Sequence, residues 1–326
     1  MNQTFVKIRK TCGIFSFATV LLAGGNVMAQ GYPDRPVKLV VPYPAGSSTD
    51  ALARILSEAL GKRIRQAVVV ENRAGAGGMI GAKAVSDSPA DGNTLLMYTP
   101  AWPAQKIFVK NPAVPVPDGL KPVSLVALGR LALVAPQALP AKTFAELISY
   151  AQAHPGKLNY STTGPGDVLL DFEILKSSAR VQMEHIQYKG AANQLNALLA
   201  NEVQLGLQPE YTPLPFVKDG KLKVLAVTGD KRSTVYPDAP TFKELGLPKI
   251  RNNWMAIFAP GGTPSTTIKK LNADLVAVIN TPEVSKRFSD IYFEAVGSTP
   301  EQLRQKIQTD ITDWAAVAKS AGIQPE

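Results

Sequence analysis

Apolar and polar positions along this chain follow two rhythms that take turns. "VKLVVP" (37–42) is a short apolar run and predicts a strand. "TDALARILSEALGKRI" (49–64) has helical spacing, with Leu52, Ile55, Leu56, Ala59 and Leu60 on one face. "AVVVEN" (67–72) predicts a strand, "MIGAKAVSDS" (79–88) a short helix and "NTLLMYT" (93–99) a third strand. The order βαβαβ implies a parallel sheet with right-handed crossovers. After a Pro-rich loop from Asn111 to Pro117, "VSLVALGRLALVAP" (123–136) is too long for one ordinary strand. With Gly129 in its middle, it reads as two strands or as one strand crossing between lobes.

A second series follows: helix 143–153, strand 158–161, helix 168–179, strand 185–188, helix 191–200, and strands 203–207 and 222–228. "WMAIFAP" (254–260) is a strand placed to cross back, and amphipathic helices at 264–279, 282–290 and 299–320 complete the chain. The expected architecture is α/β and two-lobed. Each lobe is a mainly parallel sheet flanked by helices, and the chain crosses twice between them. Lobe 1 takes 30–130 plus 254–326 and lobe 2 takes 131–253. Ligands in open α/β sheets sit beyond the carboxyl ends of the strands, and pockets favour domain interfaces. The cleft is therefore the expected site.

Composition changes this picture at the N-terminus. Lys7, Arg9 and Lys10 precede an apolar run, 12–25, too short to span a bilayer, and small Ala29 precedes a cut site. Residues 1–29 thus read as a secretory signal peptide. Cys12, the only cysteine, leaves with it, so disulfides, thiol catalysis and cysteine metal sites are excluded from the mature chain. Export without cysteines suits a bacterial periplasm. Removing Lys7, Arg9 and Lys10 takes the formal charge from +9 to +6. The remaining Lys and Arg are scattered rather than clustered, which argues against nucleic acid and suits an anionic small ligand.

Two strand–helix junctions carry the candidate chemistry. "PYPAGSSTD" (42–50) places Tyr43, Ala45, Gly46, Ser47, Ser48, Thr49 and Asp50 where a helix N-terminus presents unpaired N–H groups and partial positive charge. Ser47 and Asp50 fit N-cap and N3 of a capping box, and small residues let an anion approach. A plain capped turn is the competing account, and the excess of small residues argues against it. "YSTTGPGD" (160–167) repeats the device in the other lobe with Thr162, Thr163, Gly164, Gly166 and Asp167. Two such loops facing each other would clamp one anion, a carboxylate or a phosphate. Trp102, Gln208 and Glu210 are assigned with Tyr43 to the cleft wall that selects the far end of the ligand. Asp167 and Glu210 add an acidic character that suits an amino group there.

Other chemistries lack support. "NRAGAGGMIG" (72–81) has Gly75 and Gly77 but Ile80 at the third dinucleotide position, so its glycines read as a tight turn with close packing. His154 and His185 are the only histidines, too distant to pair on a metal; His154 is expected in solvent and His185 in a structural hydrogen bond. No nucleophile elbow occurs. Asp167 and Asp171 are helix-spaced at i, i+4 and read as a solvated face. No cofactor is expected and the chain is expected to be a monomer.

As a set, "YPDRPVKLVVPYPAGSSTDALAR" (32–54), "VVENRAGAGGMIGAKAV" (69–85), "PGKLNYSTTGPG" (155–166), "HIQYKGAANQLNALLANEVQL" (185–205), "GKLKVLAVTGDKRS" (220–233), "YPDAPTFKELGLP" (236–248) and "FAPGGTP" (258–264) resemble the Bug family. These are the extracytoplasmic receptors of tripartite tricarboxylate transporters. The resemblance covers essentially all of the mature chain. It implies a two-lobed periplasmic-binding-protein fold with a closing cleft, a small organic carboxylate held by the loops at 43–50 and 162–167 partly through ordered waters, and a membrane transporter as partner. The chain departs from the family pattern in three places. Gly46-Ser47 replaces Gly-Gly. "DVLLDFEIL" (167–175) replaces a small polar, His-containing helix start. "QPEYTP" (208–213) stands where an Asp often faces the cleft. Two rival roles are a sensor presenting its ligand to a membrane signalling partner and a hydrolase using a loop serine. The latter needs a base within about 3 Å of that serine, and no His is placed for it.

Overall fold

The computed structural model describes Met1 and residues 33–326. The signal-peptide assignment lies outside the described residues. Alternation along β1 (Val37–Val41) sets the first layer: Val37, Leu39 and Val41 face α1 (Ser48–Ile64), and Val40 faces the opposite side. The chain continues through β2 (Val68–Asn72), α2 (Met79–Ser86), β3 (Thr94–Tyr98), α3 (Ala101–Phe108), β4 (Leu120–Gly129), β5 (Leu131–Pro136), α4 (Phe144–Ala153) and β6 (Leu158–Thr162). Then come α5 (Asp167–Ala179), β7 (Met183–Gln187), α6 (Ala191–Leu199), β8 (Leu205–Pro209), α7 (Leu214–Lys218), β9 (Leu222–Val227), β10 (Asn253–Pro260), α8 (Ser265–Ile279), α9 (Pro282–Ser289), β11 (Phe293–Ala295) and α10 (Pro300–Ala321).

Two sheets form, in the orders β11-β4-β10-β3-β1-β2 and β7-β6-β8-β5-β9. In the first, β1 to β4 run one way while β10 and β11 oppose them. In the second only β5 opposes its neighbours. The antiparallel pairs sit where the chain passes between lobes: a strand arriving from the other lobe enters against the direction of the βαβ series. The long run at 123–136 is two strands, as the glycine in it suggested, split at Arg130. Its guanidinium donates to the carbonyls of Thr228 (3.0 Å) and Lys231 (2.6 Å), and the Leu131 N–H donates to the Thr228 hydroxyl (2.8 Å). The two crossings are thereby laced together.

Helix α10 packs on the cores of both sheets. Its Leu303, Ile307 and Ile311 pack with Val40, Trp102 and Trp254 on the first sheet. Its Trp314, Val317 and Ala318 join the core of the second sheet with Leu133, Tyr160 and Phe172, as do Ala104 and Ile107 of α3. The helix starts from a full capping box on Thr299 and Gln302 and ends at Gly322, in the left-handed region. Twenty-two residues at 1.5 Å each give it the length to span both cores.

Candidate functional site

The turn after β1 is built around Asp50. Gly46 adopts φ +81°, which favours glycine. The Asp50 carboxylate accepts from the Gly46 N–H (2.9 Å), Arg54 Nε (3.0 Å) and Asn72 Nδ2 (2.9 Å), and Asn72 also donates to the Tyr43 carbonyl (3.1 Å). Burial pushes the Asp50 carboxyl up, but these three donors outweigh it and hold the group below the usual carboxylate range. Ser47 is the N-cap, its hydroxyl accepting from the Asp50 N–H at 3.3 Å, while its own N–H bonds the Pro44 carbonyl. The reciprocal half of the expected capping box therefore falls on Gly46 rather than on Ser47. Asp50 and Thr49 are buried, and the Asp50 side chain is taken up by holding the loop. The first-turn N–H groups of Ser48 and Thr49 have no protein acceptor among the described residues. They are the donors this helix end presents.

The second loop is also internally braced. The Thr162 hydroxyl accepts from the Gly164 N–H (3.1 Å) and meets His185 Nε2 at 2.7 Å, so Thr162, expected at the ligand, supports the loop instead. His185 stacks on Tyr160 at 5.2 Å, the structural role expected of it. Thr163 is exposed. Gly166, N-cap of α5, is extended, and a Cβ built there meets nothing within 4 Å. The Asp167 side chain turns back on its own helix end. Burial, with the charge of Asp310, lifts its carboxyl to about 6, while the N–H groups of Asp167 and Val168 favour its ionised form. Thus Gly46, Ser47, Gly164, Asp167 and Val168 already give their N–H groups to the protein. N–H groups with no protein acceptor among the described residues include those of Ser48 and Thr49 in one loop and of Thr163 and Gly166 in the other.

The Asp167 charge reaches Tyr43 and Tyr98, adding to the burial that pushes both phenols up. Tyr43 donates to or accepts from the Thr99 hydroxyl at 2.7 Å and sits edge-on to Tyr98 at 6.0 Å. Tyr98 in turn donates to the Gly77 carbonyl at 2.7 Å, and a Cβ at Gly78 would come within 2.7 Å of its ring. The glycines of 72–81 are there for close packing behind the cleft, as their spacing implied.

Three expected wall residues are placed elsewhere. Trp102 is fully buried against Phe258 at 5.1 Å, because the unforeseen helix α3 turns it into the core of lobe 1. Glu210 is 5% exposed and its carboxylate is taken by the Ser233 hydroxyl, with its N–H on the Arg130 carbonyl and its carbonyl on the Tyr236 hydroxyl. It anchors a crossing. Gln208 is 1% exposed and donates to Gln194 Oε1 at 3.2 Å, inside lobe 2. Asn72 and Thr99, which sequence reasoning missed, support Tyr43 and Asp50; their position at the carboxyl ends of β2 and β3 was the available signal. The largest surface hollow described, about 760 Å³, is an open depression between α1 and β2 (Arg54, Gly61, Arg65, Val68), away from both loops.

Two α/β sheets joined by two laced crossings define the class of periplasmic solute-binding proteins. The chain belongs to the tripartite tricarboxylate transporter receptor family: residues 52–323 match the TctC family, described as "Tripartite tricarboxylate transporter family receptor". That family comprises periplasmic solute-binding receptors, not enzymes. The chain is 35% identical to Protein BugT of Bordetella pertussis, covering 99% of both chains. Among solved structures it is similar to the periplasmic binding protein BugD (31% identity, TM-score 0.76, 90% of this chain and 100% of that one). It is also similar to R. palustris Rpa4515 with adipate (32%, TM-score 0.78, 90% and 100%) and to MatC from Rhodopseudomonas palustris with bound malate (28%, TM-score 0.73, 88% and 99%).

Proposed function

We propose that this protein is an exported receptor that captures a small organic carboxylate between the loops at 43–50 and 163–167. It then delivers the ligand to a membrane transporter of the tripartite tricarboxylate class. Lobe 1 and lobe 2 close on the ligand, with α10 shared between them. The observation that carries the reading is the pair of first-turn N–H groups at Ser48 and Thr49, left without a protein acceptor among the described residues while the N–H groups of Gly46, Ser47 and Asp50 are engaged. A carboxylate there gains charge-assisted hydrogen bonds and the helix dipole. Glycine at 166, with open space where a side chain would stand, leaves room for it from the other side. Structures titled with adipate and malate at about 30% identity support the ligand class.

The test is a thermal-shift and native mass spectrometry screen of the mature chain with mono- and dicarboxylates against their primary amides. A ligand at 1,000 times its dissociation constant adds about 4 kcal/mol to stability, a shift of several degrees. Stabilisation by at least one acid and not by its amide is expected. No acid stabilising the protein would overturn the reading.

A further inference from the structure

A small cavity of about 20 Å³ lies where the lobes meet, lined by Pro100, Asp167, Asp171, Arg251, Trp254, Lys306 and Asp310, among others. Its acids are unequally served. The Asp310 carboxylate accepts from Trp254 Nε1 (3.0 Å), Arg251 (3.1 Å) and Lys306 (3.2 Å). The other branch of Arg251 goes to Asp313 at 2.7 Å, and Lys249 pairs with Asp313 at 3.1 Å. Every cation on this wall is therefore paired with α10. Asp171, one turn below Asp167 on α5, is 6% exposed and accepts no hydrogen bond among the described residues. A buried carboxylate without a donor is costly. The solvated face expected of this i, i+4 pair is not what forms: Asp171 lies on the buried side of α5 and opens onto the cavity.

We propose that Asp167 and Asp171 are the specificity-determining residues of the cleft, forming the seat for a cationic nitrogen, so that the preferred ligand is an amino-carboxylate rather than a plain acid. The inference rests on the carboxylate clamp proposed above. The acid end engages Ser48 and Thr49, and the ammonium supplies the donor and positive charge that Asp171 lacks. A cavity of this volume admits one water-sized group, the size of an ammonium. The four acids Asp167, Asp171, Asp310 and Asp313 stand against three cations, Lys249, Arg251 and Lys306, so with all ionised the group carries one negative charge in excess, and the ion pairs place the cations on Asp310 and Asp313 rather than on Asp171. Tyr43 and Tyr98, the remaining titratable groups facing Asp167 from lobe 1, stay neutral, being pushed up by burial.

Burial raises the carboxyls of Asp167, to about 6, and of Asp171. An ammonium needs them ionised, so affinity for an amino-carboxylate falls as pH drops through about 6, whereas a plain acid shows no such loss. The experiment is titration of the full mature chain with matched pairs: the ω-amino acids from glycine to 6-aminohexanoate and the common α-amino acids, each beside its deaminated acid, at pH 5 and pH 8. Asp171→Asn and Asp167→Asn are measured alongside. The expected result is at least one amino-carboxylate binding tenfold or more tightly than its deaminated partner at pH 8, the preference shrinking at pH 5 and lost in Asp171→Asn. Acids that bind equally well or better without the nitrogen, with both variants unchanged, overturn the inference and leave the clamp standing. Failure of every acid, aminated or not, overturns the clamp with it. Circular dichroism of both variants separates loss of binding from loss of fold, and retained preference in a folded Asp171→Asn also overturns it.

Discussion

Asp50 and Asp167 are carboxylates at the first turns of two helices, and their surroundings set them to opposite tasks. Asp50 has three donors and a depressed folded-state pKa, so the stability it contributes is present above its unfolded value and lost as pH falls. Asp50→Asn should cost about 1–3 kcal/mol at pH 7 by removing a charge-assisted acceptor for Arg54 and Gly46, with a smaller difference from wild type at pH 3. Denaturant melts at the two pH values check this. Asp167 has a raised folded-state pKa of about 6. Its ionisation therefore costs stability, and the cost appears as pH rises through 6. Asp167→Asn should raise stability by about 1–2 kcal/mol at pH 8 and leave it unchanged at pH 4. A raised melting temperature together with weaker ligand discrimination is the expected signature of a functional acid. The loops themselves were legible in "PAGSSTD" and "STTGPGD", because small residues and an N-cap directly after an apolar run mark a strand giving way to an open helix end. Which N–H groups remain open was not legible, since that depends on Asn72 and His185 arriving from elsewhere.

At the scale of elements, the strand–helix alternation was readable because each βαβ unit carries its own periodicity. What failed was short or compound. Helix α3 opens "AWPA" with a proline in its first turn, which reads as loop, and its eight residues give little period to detect; local pattern puts Trp102 at the cleft for that reason. Glu210 looks like a wall residue because it follows a strand end, yet its neighbours Ser233 and Tyr236 lie in the crossing segment, beyond the reach of local pattern. Gly166 offers an element-level test. Its φ of 171° is extended, which any residue adopts, and its Cβ direction is open, so Gly166→Val should leave the melting temperature within about 1 °C. Any affinity lost then reports a ligand standing at the N-terminus of α5, read out by titration of a stabilising acid.

The whole molecule is less divisible than two crossings suggest. Helix α10 contributes Leu303 and Ile307 to one core and Trp314 and Val317 to the other. Assigning helices to lobes by chain order cannot reveal this. A shared helix predicts one calorimetric transition for the mature chain, with van't Hoff and calorimetric enthalpies equal; two resolved transitions would contradict it. It also places α5, which begins at the second loop, directly against α10, so lobe closure must work around that contact. The central claim is that a carboxylate is held by the first-turn N–H groups of α1, and one substitution isolates it. Ser48 is the first helical residue, where proline is well accommodated, and Ser47 has φ −67° and ψ 160°, the extended geometry that precedes proline. Ser48→Pro deletes one N–H and little else. Calorimetric titration of wild type and Ser48→Pro with the best-binding acid should show an unchanged melting temperature and an affinity at least tenfold weaker, as expected for a hydrogen bond to a charged group. Equal affinity in the two proteins would contradict the clamp.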